Sequence, residues 1–260
     1  MKVAILAGGL GTRLTEETSA RPKPMVEIGG KPILWHIMSM YARHDITDFV
    51  ILGGYKVEVI KQYFVNYGIN SADFTIDLQN GAIQWHHNGA EAWKVTILDT
   101  GFSTMTGGRV KRARKILGQD TFCLTYGDGV SDVDISALVA FHKKKGLLAT
   151  VTAVEPPGRF GVLGLSADSE RVTAFREKDR RDVGLINGGF FVLEPDVLDL
   201  IVDDSTVWEQ EPMERLAHTG QLAAFIHSGY WQNMDTLRDK AVLEAAYEKG
   251  APWLRPLRRP

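Results

Sequence analysis

A glycine-rich run that follows a short apolar stretch, Gly8-Gly9-Leu10-Gly11-Thr12-Arg13, can bring backbone N–H groups close to an anion with no side chain in the way. It is not a Gly-x-Gly-x-x-Gly fingerprint, because Leu14 stands where the third glycine would be. Nor is it a Walker loop: Gly30-Lys31-Pro32 lacks the hydroxyl that should follow the lysine. By itself such a loop could be no more than a tight turn. Two cations strengthen the anion reading, Arg13 inside the run and Lys23 in Arg21-Pro22-Lys23-Pro24, where two prolines hold the lysine on a stiff extended segment. A solvated surface lysine is the alternative. Acids and bases recur further along, at Asp128 in Gly127-Asp128-Gly129, at Glu177-Lys178 and at Asp235. Each has a plain structural alternative: a turn, a helix cap or a surface ion pair. No Ser-His-Asp or Cys-His arrangement is suggested.

The elements that must position these residues follow from periodicity. Residues 2–7 form a continuous apolar run of the kind found in a parallel strand covered on both faces. Residues 32–44 read as a helix with proline in its first turn and Ile33, Leu34, Ile37, Met38 and Tyr41 on one face. Strands are expected at 49–52, 74–78, 82–86, 95–98, 121–126 and 149–154, with helices at 57–67, 109–117 and 135–145. Beyond Pro156 come strands at 162–165, 172–177, 186–193, 223–227 and 230–233, and helices at 197–202, 209–219 and 237–249. This alternation implies right-handed crossovers and a mainly parallel sheet. Ligands of such sheets bind beyond the carboxyl ends of the strands, where the glycines, acids and bases fall.

Composition sets outer bounds. At ~150 residues per domain the 260 residues suggest about 1.7 domains, and the absence of linkers or repeats favours one. The 44% hydrophobic and 24% charged content is that of an ordinary globular chain, and a net charge of −2 argues against a surface built to trap nucleic acid or anionic membrane. The start, with Lys2 and a five-residue apolar run, superficially resembles a signal peptide, but the run is too short and ends in the glycine motif. A lone cysteine, Cys123, points to a reducing, cytoplasmic setting. His86 and His87 are adjacent on an expected strand and so face opposite ways, which is poor metal geometry. Trp208, Trp231 and Trp253 read as packing aromatics.

The run Leu6-Ala7-Gly8-Gly9-x-Gly11-Thr12-Arg13-Leu14 followed by Pro22-Lys23-Pro24-Met25 resembles the signature of the sugar-phosphate nucleotidyltransferases, or sugar-nucleotide pyrophosphorylases. The likeness continues through Met105-Thr106-Gly107-Gly108-Arg109, Tyr126-Gly127-Asp128-Gly129, Asn187-Gly188-Gly189-Phe190, Trp208-Glu209-Gln210-Glu211-Pro212 and Met234-Asp235-Thr236-Leu237. It is closer to members that use CTP and glucose 1-phosphate. The resemblance implies a Rossmann-like three-layer α/β fold with a mostly parallel mixed central sheet and added sugar-binding strands. It implies one domain over 1–260, with 1–130 mainly for the nucleotide and 131–260 mainly for the sugar phosphate and oligomer contacts.

The implied reaction is direct in-line attack by the sugar-phosphate oxygen on the α-phosphorus, giving CDP-glucose and pyrophosphate. Arg13 and Lys23 would act catalytically on the triphosphate. Leu6, Gly8, Gly9, Gly11, Thr12, Thr104, Arg109 and Asp128 would bind the nucleotide. Tyr126, Glu177, Lys178, Asn187 and Gly188 would bind the sugar phosphate, and Asp128 and Asp235 would hold Mg²⁺. Arg109 could instead simply serve its own helix. A homo-oligomer, a hexamer in close relatives, and a role in making CDP-linked sugars for surface polysaccharide (O-antigen) are also implied. The family's usual Glu-Lys-Pro is here Glu177-Lys178-Asp179, so the loop's shape departs from the pattern. Members using dTTP or UTP carry a glutamine-rich stretch where this chain has Thr104-Met105-Thr106-Gly107-Gly108. Non-catalytic relatives usually lose the cations or acids; Arg13, Lys23, Asp128, Lys178 and Asp235 are all present.

Overall fold

The apolar run behind the glycine loop becomes the strand on which the molecule is built. The computed structural model describes residues 1–156, 162–165, 172–176 and 184–255, the two short middle pieces by their backbone alone. The strands are β1 (Lys2–Ala7), β2 (Glu27–Ile28), β3 (Lys31–Pro32), β4 (Asp48–Gly53), β5 (Ala72–Ile76), β6 (Ile83–Asn88), β7 (Lys94–Asp99) and β8 (Phe122–Tyr126). They continue as β9 (Gly129–Ser131), β10 (Ala149–Val154), β11 (Val162–Leu165), β12 (Val172–Arg176), β13 (Ile186–Leu193), β14 (Leu222–His227) and β15 (Trp231–Asn233). The helices are α1 (Thr15–Thr18), α2 (Ile33–Ala42), α3 (Val57–Val65), α4 (Tyr67–Ser71), α5 (Thr106–Arg112), α6 (Arg114–Leu117), α7 (Ile135–Lys145), α8 (Glu211–His218) and α9 (Leu237–Glu248).

Seven strands form the main sheet in the order β14-β10-β13-β8-β1-β4-β7. β13 runs antiparallel to both neighbours and the other pairs are parallel, so the sheet is mixed but mostly parallel, as expected. β1 alternates between two cores. Val3 and Ile5 pack with α2 on one face, while Ala4 and Leu6 pack with Val110 and Ala113 on the other, which is why the run has no polar interruption.

The strand order also explains where a ligand belongs. From β1 the chain moves outward through β4 to β7, then returns to place β8 on the other side of β1. The crevice beyond the carboxyl ends of β1 and β8 is therefore the switch point of the sheet. Element ends differ from expectation in instructive ways. The expected helix at 57–67 is interrupted at Asn66, and that at 197–202 is a 3₁₀ turn, Pro195–Leu200. The helix expected from 109 starts at Thr106. Its glycines look like breakers, yet a Cβ at Gly107 would come 2.8 Å from Thr206 O and one at Gly108 2.6 Å from Asp204 Cα. Glycine is needed there for close backbone approach.

Candidate active site

The loop after β1 is held from several sides. Gly11 has φ +64°, and its carbonyl accepts from Leu14 N at 3.0 Å and from Thr18 Oγ1 at 3.1 Å, turning the chain into α1. Arg109, 4% exposed, reaches under the loop from α5. Its Nη2 donates to Gly8 O at 3.1 Å, and its Nη1 donates to Gly101 O and Thr100 Oγ1 at 2.7 Å and to Gly53 O at 3.0 Å. A Cβ on Gly8 would lie 2.2 Å from this guanidinium, so glycine and arginine require each other. Arg109 lines the crevice, but its Nη hydrogens are taken up by Thr100 Oγ1 and by backbone carbonyls. Its geometry is that of a scaffold for the loop.

The proline pair suggests an extended segment, but only Pro22 is extended: Lys23 itself begins the 3₁₀ turn Lys23–Met25. Its Nζ lies 2.6 Å from Asp128 Oδ2 and 2.6 Å from Asp235 Oδ1. Arg13 Nη1 is 3.0 Å from Asp235 Oδ2, with the arginine side chain 73% exposed at the rim. The two aspartates are brought together by the β9–β15 ladder, which pairs Gly129 with Asn233, and by Met234 N donating to Asp128 O at 2.8 Å. Burial pulls the Lys23 pKa down, but the charges and hydrogen bonds of Asp128 and Asp235 together outweigh it and hold the ammonium above its ordinary value.

Two cavities open on this cluster. One of about 350 Å³ is lined by Leu6, Gly8, Gly9, Gly11, Thr12 and Arg13 of the loop region, and by Lys23, Thr104, Arg109, Asp128 and Asp235. A second of about 360 Å³ is lined by Asn187, Gly188, Trp231 and Asn233. Arg13, Tyr126, Asp128 and Asp235 line both. The Tyr126 hydroxyl donates to Glu209 Oε1 at 2.7 Å; burial, reinforced by that carboxylate, raises its pKa far above the usual phenol value. Glu177 and Lys178 lie outside the described residues.

The two carboxylates converge on the point now taken by the Lys23 ammonium. Among the described residues no group of three or more His, Cys, Asp or Glu side chains could hold a metal. A pair of carboxylates nonetheless fits a hard divalent ion that completes its shell with water and phosphate oxygens. Sequence reasoning missed Thr106 and Glu209, which hydrogen-bond to each other at 2.6 Å, and it read Trp231 as packing. Trp231 Nε1 donates to Gly188 O at 2.7 Å and so forms the second cavity's wall. The strings containing these residues were visible, but contacts between residues 43 and 103 positions apart leave no spacing signal.

Comparison with known proteins agrees with this geometry. The family model described as nucleotidyl transferase matches residues 2–249. A glucose-1-phosphate cytidylyltransferase of Salmonella typhi is 57% identical over 255 residues, covering 97% of this chain and 98% of its own. A probable glucose-1-phosphate cytidylyltransferase of Bacillus subtilis is 42% identical over 251 residues, covering 96% and 97%. Among solved structures, HddC from Yersinia pseudotuberculosis shares the fold with TM-score 0.68 at 24% identity, covering 95% of this chain and 99% of that one. With its loop, paired acids and joined cavities in one crevice, the chain belongs to the nucleotidyl transferase family.

Proposed function

We propose that the protein is a glucose-1-phosphate cytidylyltransferase, moving CMP from CTP to α-D-glucose 1-phosphate with release of pyrophosphate. The carrying observation is that two cavities of similar size meet at one wall formed by Arg13, Tyr126, Asp128 and Asp235. The relatives in Salmonella typhi and Bacillus subtilis supply the choice of CTP and glucose 1-phosphate. In this reading the cavity lined mostly from within 1–130 takes the nucleotide, and the cavity to which the later part of the chain adds Asn187, Gly188 and Trp231 takes the sugar phosphate, within a single catalytic domain.

A phosphate oxygen of the sugar substrate forms a bond to the α-phosphorus, and the bond from that phosphorus to the bridging oxygen breaks. The electron pair leaves with pyrophosphate. No protein nucleophile is needed, so positioning and charge dominate. The glycine loop would hold the triphosphate, and Lys23 and Arg13 would turn from the aspartates towards the phosphates as charge gathers on the leaving group. Asp128 and Asp235 would hold Mg²⁺, which when bound neutralises phosphate charge. Lys178 would grip the sugar's phosphate and Glu177 its hydroxyls. The same reading carries a homo-oligomeric, cytoplasmic enzyme whose product serves CDP-sugar synthesis for surface polysaccharide. Among the described residues no helix is long and apolar enough to cross a membrane.

The test is pyrophosphate release with CTP, UTP, dTTP, ATP and GTP against a panel of sugar 1-phosphates. CTP with glucose 1-phosphate is expected to be clearly the best pair; a different best pair overturns the substrate assignment.

A further inference from the structure

Glu209 precedes α8 and, among the described residues, is not in the lining of either cavity. Its half-buried carboxylate stands behind the wall that both share. Oε2 accepts from Thr106 Oγ1 at 2.6 Å, and Oε1 accepts from the Tyr126 hydroxyl at 2.7 Å. Thr106 belongs to the nucleotide cavity, and Trp208 N donates to its Oγ1 at 2.9 Å. On the other side, Asn187 Nδ2 donates to the Tyr126 oxygen at 3.0 Å, and Gly189 N donates to Asn187 Oδ1 at 2.8 Å.

The direction of every bond in this chain is forced. A carboxylate only accepts, so the one hydroxyl hydrogen of Tyr126 goes to Glu209. The Tyr126 oxygen can then receive Asn187 only as a donor. Gly189 N–H also only donates, so it needs the carbonyl end of the same amide. Both neighbours therefore fix the Asn187 side chain the same way round. The hydrogen that Asn187 still has to donate to the cavity is its second one on Nδ2. Gly189 keeps the arrangement tight, since a Cβ there would come 2.5 Å from the Tyr126 ring.

We propose that Glu209 is a positioning residue that, through Tyr126, makes Asn187 a fixed hydrogen-bond donor to the sugar 1-phosphate and, through Thr106, anchors the nucleotide wall to the same carboxylate. The ligand group it selects is an acceptor oxygen, a ring oxygen or a hydroxyl lone pair. This rests on reading the second cavity as the sugar-phosphate site.

Steady-state kinetics of Glu209→Ala, Tyr126→Phe, the double variant and Glu209→Gln test it. Glu209→Ala and Tyr126→Phe should each raise KM for the sugar 1-phosphate about tenfold, the scale of one neutral hydrogen bond. The double variant should be no worse in that KM than Tyr126→Phe alone, because both act through one chain. Glu209→Gln should keep the sugar KM within about threefold of wild type: its Oε1 still accepts from Tyr126 while its amide donates to Thr106 Oγ1. Penalties that multiply in the double variant overturn the proposal. So does a Glu209→Gln enzyme as impaired as Tyr126→Phe, a comparison that stands even if Glu209→Ala does not fold. A fall in kcat with the sugar KM unchanged also overturns it. The variants are measured with the best sugar 1-phosphate of the wild-type panel, so a wrong substrate assignment shows in wild type and a wrong role for Glu209 shows only in the variants.

Discussion

Lys23 is a cation already seated between two carboxylates, and that position gives it two separable roles. Its raised pKa means that the stabilisation carried by its own protonation is full below pH 10.5 and is lost as pH climbs through the higher folded value. Lys23→Ala should lower turnover at least ~100-fold, roughly 3 kcal/mol of charge stabilisation on the leaving group. It should also leave Asp128 and Asp235 facing each other with the lysine charge gone and only Arg13, on Asp235, to offset them. In thermal melts the variant should be less stable than wild type in EDTA and gain more from added Mg²⁺. Near wild-type turnover, or equal gains from Mg²⁺ in the two proteins, would defeat this account. Arg13 and Lys23 could be picked out from the glycine run and the proline pair beside them, and Asp128 and Asp235 from following expected strands and from the family resemblance; that these charges meet is set by the fold. Arg109 was legible only as a basic residue expected near the nucleotide: its partners include carbonyls of Gly8, Gly53 and Gly101, which only the folded chain assembles.

At the scale of elements, α2 shows how a buried polar residue fastens a helix to its surroundings. His36 is fully buried; its Nε2 lies 2.8 Å from Ile28 O, and Trp253 Nε1 donates to its Nδ1 at 3.2 Å. Indole N–H can only donate, so Nδ1 accepts, Nε2–H donates to Ile28 O and the ring is neutral. Burial pushes its pKa below 6.5, with the Ile28 bond opposing. The unfolded chain therefore takes up a proton near pH 6.5 that the folded chain refuses, and this stability is present above 6.5 and lost as pH falls below it. Urea unfolding should show stability falling by up to ~1.4 kcal/mol per pH unit below 6.5, until the folded pKa is reached. His36→Gln should flatten part of that slope, although His44, whose pKa burial also lowers, retains its share. Parallel pH profiles for the two proteins would rule His36 out. The strands and α2 were readable because their apolar periods are local. The start of α5 was not, because Gly107 and Gly108 are dictated by the backbone of residues 204–206 across the fold.

For the whole molecule, the alternation of elements implied a mainly parallel sheet but not the order of β1, β4, β7 and β8, and the β5–β6 ribbon was visible only as two short strands. Its register sets Phe74 against Trp85 and Ile76 against Ile83, with exposures of 37%, 50%, 44% and 44%, while Thr75 and Gln84 pair between them towards the other face. A two-stranded ribbon with an uncovered apolar face is marginal in water. The expected homo-oligomer would cover it. Light scattering should give a multiple of the 28.8 kDa chain mass, and Trp85→Glu with Ile83→Glu should shift the distribution towards smaller species. A wild-type monomer, or an assembly indifferent to both changes, would refute that surface.

The guanidinium beneath the glycine loop has a further effect that no contact distance records. Arg109 keeps a full positive charge on uncharged oxygens, away from bulk solvent, directly below the cavity proposed for the nucleotide. Ions in solution screen exposed charges over about 8 Å at physiological strength and reach a buried one far less. The electric potential felt by a phosphate entering this crevice is thus partly built into the floor. It should persist at ionic strengths that erase the pull of the rim, where Arg13 lies open to water.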